Sequence, residues 1–251
     1  MYALITGASS GMGRDFAKIL SMAGYDLILV ARNENALSKI KEELETNVVI
    51  EPMDLSIIDN TKALYEKYKN YDIEVLINNA GFGDCDLFTE SSLDKELNMI
   101  DLNIKTLHVL MKLFLQDFIK KNRGYILNVS SMASFAYGPL MATYYSTKSY
   151  VTRLSMSVRY ELKRMKKNVS ISALCPGPVD TNFNNAANVN FSTKGLNSFK
   201  VAKYAIKKMF KKKKIIIPGA KNRMFKLLSS LAPKSIQMRF IYSYQKKKID
   251  N

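Results

Sequence analysis

The chain has 251 residues, 47% of them apolar, with 38 Lys+Arg against 22 Asp+Glu and a formal net charge of +16. That composition supports a large buried core, and it excludes a disordered chain or a small disulfide-stapled scaffold. Two cysteines without metal-ligand spacing, Cys85 and Cys175, exclude a structural zinc module and fit a reducing, cytoplasmic setting.

Tyr2 to Thr6 follows Met1 directly and reads as a short apolar strand, not as a secretory leader; no apolar run reaches bilayer length. Gly7-Ala8-Ser9-Ser10-Gly11-Met12-Gly13 then leads into a helix whose apolar period runs through Phe16, Ile19 and Leu20. Strand, glycine turn and helix together make a phosphate cradle. The glycines let the backbone approach a pyrophosphate, and the open amides at the helix N-terminus attract its charge. Asp26 to Ala31 is a second strand, whose end stands beside the adenosine ribose in a nucleotide-binding sheet. An Asp or Glu there would bond the 2′-hydroxyl of NAD. This chain has Arg32, which can pair bidentately with a 2′-phosphate, with Ser9 as a second contact, so NADP(H) is the expected cofactor.

Asn33 to Thr46 reads as a helix and Val48 to Ile50 as the third strand; Asp54 stands where it could cap a helical segment over Ile57 to Tyr68. Glu74 to Ile77 is a fourth strand, closed by Asn78-Asn79-Ala80-Gly81. Leu93 to Asn122 is a long helical pattern expected to break near Asn103, because an amide buried in an apolar helix is costly without partners. His108, the only histidine, falls among Leu107, Val109 and Leu110 and reads as a packed or interface residue, not a catalytic one.

Gly124 to Ser131 is the fifth strand, and the helix after it runs to about Met165 and carries Tyr144 and Lys148. Four apart on a helix, these two emerge on one face. A neighbouring cation favours the phenolate, so the lysine is expected to lower the tyrosine pKa from about 10 and make its hydroxyl a usable acid and base near neutrality. Tyr145, three before Lys148, is also a helical neighbour, and spacing alone does not choose between them. Val169 to Leu174 is the sixth strand, ending in Cys175-Pro176-Gly177-Pro178-Val179-Asp180-Thr181. Phe183 to Leu196 is polar and aperiodic, Val201 to Phe210 a helix, Ile215 to Pro218 the last strand, and Lys221 to Lys248 two amphipathic segments parted at Pro233. Recurring βαβ units imply an α/β chain with a parallel sheet between two helical layers, as a single domain over residues 1–251. Lys207, Lys208 and Lys211 to Lys214 favour acidic partners, but the run simply precedes a strand and reads as solvated surface; no nucleic-acid partner is expected.

Tyr144-x-x-x-Lys148 with Ser131 thirteen residues upstream, Thr6-Gly7-x-x-x-Gly11-x-Gly13, Asn78-Asn79-Ala80-Gly81, the helix-borne Asn103 and the Pro176-Gly177 turn stand in an order that resembles the short-chain dehydrogenase/reductase family. The resemblance covers about residues 2–220 and implies a Rossmann-like doubly wound sheet of order 3-2-1-4-5-6-7. It selects Tyr144 as proton donor, Ser131 as the bond to the carbonyl oxygen, Lys148 as the group that tunes the tyrosine, and Asn103 as the link from Lys148 to solvent. The cofactor contacts it implies are Gly7, Ser9, Ser10, Gly11, Met12 and Gly13 in the glycine loop and Arg32, Asp54 and Leu55 around the adenosine. Asn79, Ala80 and Gly81 would run beside the cofactor, Tyr144 and Lys148 meet its nicotinamide ribose, and Pro176, Gly177, Val179 and Thr181 its carboxamide. Phe82, Ser131, Tyr137 and Phe183 are expected to border the substrate, and no metal is needed.

Residues of about 181–200 stand where the family carries a lid. The tail of about 221–251 is similar to that of the hydroxysteroid and long-chain ketoacyl reductase branch. It is expected to cover the pocket, to join subunits of a homodimer or homotetramer, or to touch a membrane. The implied reaction is reversible hydride transfer between NADPH and a hydrophobic ketone or aldehyde. The alternatives are a reductase of acyl-carrier thioesters and a non-catalytic NADP-binding regulator.

Overall fold

The structure is a computed structural model and describes residues 1–181, 195–231 and 233–249. Among these residues the strands are β1 (Tyr2–Thr6), β2 (Asp26–Ala31), β3 (Val48–Pro52), β4 (Ile73–Asn78), β5 (Gly124–Val129), β6 (Val169–Leu174), β7 (Val179–Asp180), β8 (Leu196–Asn197) and β9 (Ile215–Ile216). Seven of them form one parallel sheet in the order β3-β2-β1-β4-β5-β6-β9, and β7 pairs with β8 apart from it. This is the expected topology, with the seventh sheet strand counted ninth because the small β7–β8 ladder intervenes. Two-residue strands have no hydrophobic period, so this ladder leaves no trace in the sequence.

The sheet separates two apolar layers, and the alternation of side chains along each strand decides which residue joins which. Ala3, Ile5, Leu27, Leu29 and Leu127 point into the layer with Phe16 and Leu20 of α1 (Gly11–Ser21), Leu37 of α2 (Glu34–Glu42), and Ile206 and Met209 of α7 (Ser198–Phe210). Their neighbours Leu4, Ile28, Val30 and Ile126 point the other way. There they meet Leu64 of α3 (Ile58–Tyr68), Phe114 and Phe118 of α5 (Leu107–Lys121) and Val151 of α6 (Ala142–Arg164). With both faces covered, β1, β2 and β4 read as nearly continuous apolar runs, while β6 alternates through the buried Ser170 and Ser172. A half-buried polar tie, Ser198 Oγ donating to Asp15 Oδ2 at 2.5 Å, joins α7 to α1.

The break expected near Asn103 does not occur. α4 (Leu93–Ile100) passes through a π-helical turn, Asp101–Thr106, straight into α5. The wider turn accommodates the amide without ending the helix, and Asn103 is satisfied by bonds outside it. His108 is exposed on α5, not packed, with Nδ1 2.7 Å from the Tyr150 hydroxyl. The tail forms α8 (Ala220–Leu231) and α9 (Lys234–Ile249) on either side of Pro233. No helix among the described residues is long and apolar enough to cross a membrane.

Candidate active site

The glycine turn lies between the end of β1 and α1. Gly7 (φ +65°) and Gly11 (φ +51°) take left-handed backbone that side chains resist. A Cβ on Gly13 would sit 2.1 Å from Gly7 O, so Gly13 lets the helix close onto the turn from behind and does not line the cleft, a correction to its expected direct contact. Asn79 braces the same turn, its Nδ2 donating to Thr6 O at 3.0 Å and Gly7 O at 3.1 Å. Thr6 Oγ1 accepts from the backbone of Asn79 and Ala80, each at 3.0 Å. The first turn of α1 holds no acid and Ser10 makes no side-chain cap, so its amides are left to a ligand. An N-terminus opened by Gly11 and Gly13, with no acid in its first turn, fits a pyrophosphate.

The turn opens into a cleft of about 870 Å³, within the usual range for a small-molecule site. Of the expected contacts, Gly7, Ser9, Ser10, Gly11, Met12, Arg32, Asp54, Leu55, Asn79, Ala80, Gly81, Pro176, Gly177, Val179 and Thr181 line it, as do Phe82, Ser131, Tyr144 and Lys148. Arg32 stands exposed just beyond β2. Asp54 does not cap α3, which begins with Ile57 as N-cap. Partial burial works against its carboxylate, but bonds from Ser56 N at 2.9 Å and Ser56 Oγ at 2.7 Å, with the Arg32 charge, hold its pKa low. Tyr137 does not line the cleft: it is exposed, with its ring centroid 5.8 Å from Lys234 Nζ, because its side chain turns toward the tail. Phe183, and residues 182–194 of the lid expected over about 181–200, lie outside the described residues.

Beyond β5 the chain stays laddered to its neighbour. Ser130 N donates to Leu174 O at 2.7 Å and Met132 N to Pro176 O at 2.9 Å, which sets Ser131 beside the Pro-Gly turn. Tyr144 of α6 is buried, and the Ser131 hydroxyl hydrogen-bonds its phenol. Tyr145 turns away, its hydroxyl accepting from Gln245 Nε2 at 2.9 Å. The geometry thus resolves the pair that spacing left open.

Lys148 is 5% exposed, with Nζ 5.8 Å from the Tyr144 ring centroid and donating to Val129 O at 3.0 Å. Ser130 Oγ in turn donates to Lys148 O at 2.9 Å. Asn103 Nδ2 donates to Phe82 O at 2.8 Å and to Thr147 Oγ1 at 3.1 Å, while Asn103 Oδ1 accepts from Phe82 N at 3.1 Å. A Cβ on Gly81 would lie 2.6 Å from Asn103 Oδ1 and 3.4 Å from Lys148 Nζ, so the amide stands directly behind the cleft wall beside the ammonium.

The expectation that the lysine acidifies the tyrosine needs correction. Burial pushes the Tyr144 phenol above its ordinary range, and only the Ser131 bond draws it back. Burial also pushes Lys148 down to about 8. Both groups are buried at the floor of the cleft, and desolvation disfavours the ionised form of each. Tyr144 is therefore a protonated donor at neutral pH, and Lys148 a cation held at a cost.

Sequence reasoning named as site residues none of Asn222, Phe225, Phe240, Ile241, Tyr244 and Gln245, all of which come from α8 and α9 and line the cleft. Asn222 is wedged against Gly177, where a Cβ would come within 2.7 Å of its Oδ1. The tail was expected to cover the pocket, and it does line the cleft, but its apolar periodicity does not say which of its residues would reach it.

Lowering the Lys148 pKa from 10.5 to about 8 corresponds to about 3 kcal/mol of burial cost at neutral pH. The Val129 bond, made by a charged donor, returns about 1.5–3 kcal/mol, so the burial cost is at best offset. Lys148→Met should therefore melt no lower than wild type at pH 7. Since the unfolded chain binds the extra proton between about 8 and 10.5, wild type should gain stability as pH rises through that window and the variant should not. A melting temperature well below wild type at pH 7 would contradict this.

The family model for short chain dehydrogenases matches residues 1–190. An uncharacterised oxidoreductase of Staphylococcus epidermidis is 35% identical over 184 residues, covering 71% of this chain and 78% of that protein. A very-long-chain 3-oxoacyl-CoA reductase of Mycosarcoma maydis is 28% identical over 179 residues; the match covers 68% of this chain and only 51% of that protein's length. The solved short-chain dehydrogenase from Sphingobium yanoikuyae in complex with NADPH is 25% identical and aligns with a TM-score of 0.81, covering 93% of this chain and 97% of that one. Sheet order, glycine turn, buried Ser-Tyr-Lys constellation and these matches agree that the chain belongs to the short-chain dehydrogenase/reductase family of oxidoreductases.

Proposed function

We propose that the protein catalyses the reversible, NADPH-dependent reduction of a ketone or aldehyde. The carrying observation is the buried phenol of Tyr144 bonded to Ser131 beside Lys148, a proton donor and a hydrogen-bond donor converging on one point of the cleft. Gly7 to Met12 would hold the pyrophosphate, Ser9 and Arg32 the 2′-phosphate, and Asp54 and Leu55 the adenine. Asn79 to Gly81 would flank the cofactor, Tyr144 and Lys148 the nicotinamide ribose, and Pro176, Gly177, Val179 and Thr181 the carboxamide. Bound there, NADPH supplies a hydride to the carbonyl carbon.

The chain's own groups handle the oxygen. Ser131 and Tyr144 both donate to it, and Tyr144 releases its proton to the oxygen as negative charge develops. The Lys148 ammonium stabilises the phenolate left behind. Asn103, which fixes the Gly81–Phe82 backbone against that ammonium, would start the path by which the proton is replaced. Two donors suffice for the developing alkoxide without a metal.

Arg32 favours NADP over NAD; among solved neighbours the Sphingobium protein holds NADPH and a Burkholderia phymatum one NAD. Phe82, Met141, Phe225 and Ile241 among the lining residues favour a hydrophobic substrate. A second reading, reduction of a 3-oxoacyl thioester, draws on the Mycosarcoma relative.

NADPH oxidation across a panel of free ketones, aldehydes and 3-oxoacyl thioesters tests the proposal. Turnover of thioesters alone would move the assignment to the second reading, and NADPH binding without any turnover would leave only a regulator. On an active compound, Tyr144→Phe should lower kcat by about 10²- to 10⁴-fold with NADPH binding retained, and wild-type turnover would remove Tyr144 from the mechanism. Arg32→Asp should raise the KM for NADPH by about 10- to 100-fold while sparing NADH, since it deletes one charge-assisted phosphate contact and adds a repulsive one. An unchanged cofactor preference would contradict the role of Arg32.

A further inference from the structure

The net charge is not spread over the molecule. Residues 1–180 carry 21 Lys+Arg and 21 Asp+Glu, whereas residues 181–251 carry 17 Lys+Arg and a single acid, Asp250. The whole excess of +16 therefore belongs to the last quarter of the chain. Within it, α8 and α9 contribute Lys221, Arg223, Lys226, Lys234, Arg239, Lys246, Lys247 and Lys248, and neither helix holds an acidic residue to pair with them.

The same two helices expose large apolar side chains. Met224 is 59% exposed, Leu228 58%, Ile236 59% and Phe240 63%. Met224 and Leu228 are one turn apart on α8, as are Ile236 and Phe240 on α9, so each pair forms a strip on one helix face. Lys221 precedes Met224 by three residues and Arg239 follows Ile236 by three, which sets a cation beside each strip.

The inner faces of both helices are already engaged. Gln237 Nε2 of α9 donates to Ser229 O of α8, Ile241 and Gln245 are buried, and Gln245 is bonded to Tyr145. The outer apolar strips with their flanking cations are left without a role in holding the fold. A long cation draped over apolar groups suits an interface with an apolar interior and an anionic rim.

We propose that the outer face of α8 and α9 docks on an anionic lipid bilayer, with Met224, Leu228, Ile236 and Phe240 entering the headgroup–acyl boundary and Lys221, Arg239 and their neighbours meeting lipid phosphates. A second copy of this chain fits the face poorly, because two such surfaces brought together would oppose cations with no acid between them. Nucleic acid fits it poorly as well, since a phosphate backbone gives the aliphatic side chains nothing to enter. Phe240 also lines the cleft, so the docked molecule holds the tail-side wall of its site against the lipid.

Co-sedimentation of the full chain with vesicles of phosphatidylcholine alone, and of phosphatidylcholine with an equal part of phosphatidylserine, tests this. Binding should be at least about tenfold stronger on the mixed vesicles and should weaken as salt is raised. Met224→Asp/Leu228→Asp, at exposed positions outside the cleft lining, should lose vesicle binding by about tenfold or more while keeping the far-ultraviolet circular dichroism of the wild type. Lys221→Gln/Arg239→Gln should reduce the preference for phosphatidylserine. The proposal is overturned if wild type binds neither vesicle or binds both equally, or if the aspartate variant binds like wild type. It is overturned equally if that variant changes only the mass by light scattering, which would make the face a contact between copies. Because the readout involves no turnover, its failure and a failure of the catalytic reading are distinguishable.

Discussion

A phenol and an ammonium share one water-poor floor, and the site takes its properties from that confinement. In water Tyr144 and Lys148 would sit near their ordinary pKa values and interact weakly. Buried together, both are displaced toward their neutral forms, the phenol upward and the ammonium down to about 8. The lysine is thus a strained cation whose charge gains a partner only when the phenol gives up its proton. An interaction weak in the ground state and strong in the charged transition state is the kind that raises kcat, not merely affinity.

The fold supplies that floor from distant parts of the chain. β1, β4, β5 and β6 all end at the cleft, contributing the glycine turn, Asn79 to Gly81, Ser131 and the Pro176-Gly177 turn. Their relative placement rests on buried polar ties. Asn79 clasps the glycine turn, Asn103 in its π-helical turn clasps Phe82, and Ser130 clasps the backbone of Lys148. Each tie satisfies groups that could not be left unpaired in a dry interior, so the demands of burial and the alignment of the site coincide. The tail closes the open side: Asn222 rests on Gly177, and Gln245 reaches Tyr145.

What the sequence disclosed follows from the range of each interaction. The strands, the glycine turn and the Tyr144–Lys148 pair are local patterns with a period or a fixed spacing, and each appears where the sequence places it. The two tyrosines could not be separated by spacing, because Ser131 and Gln245, which pull them to opposite sides, lie 13 and 100 residues away. Asn103 was seen as anomalous, but a break was read where the backbone instead widens by a π turn. Tyr137 was expected at the substrate from the family resemblance alone, and its ring instead stands exposed beside Lys234 of the tail. The direction of the Tyr144 shift was misjudged because a helical wheel counts neighbouring charges and does not see how much water is left around them.

The charge state of the buried lysine is the quantity on which this account turns. Side-chain nuclear magnetic resonance of lysine-labelled protein, with the Lys148 signal assigned by its loss in a Lys148 variant, would follow that one ammonium through its titration. The account predicts a midpoint near 8 in the protein without ligand. A midpoint at the ordinary lysine value of about 10.5 would mean that the floor is wet, and would contradict it.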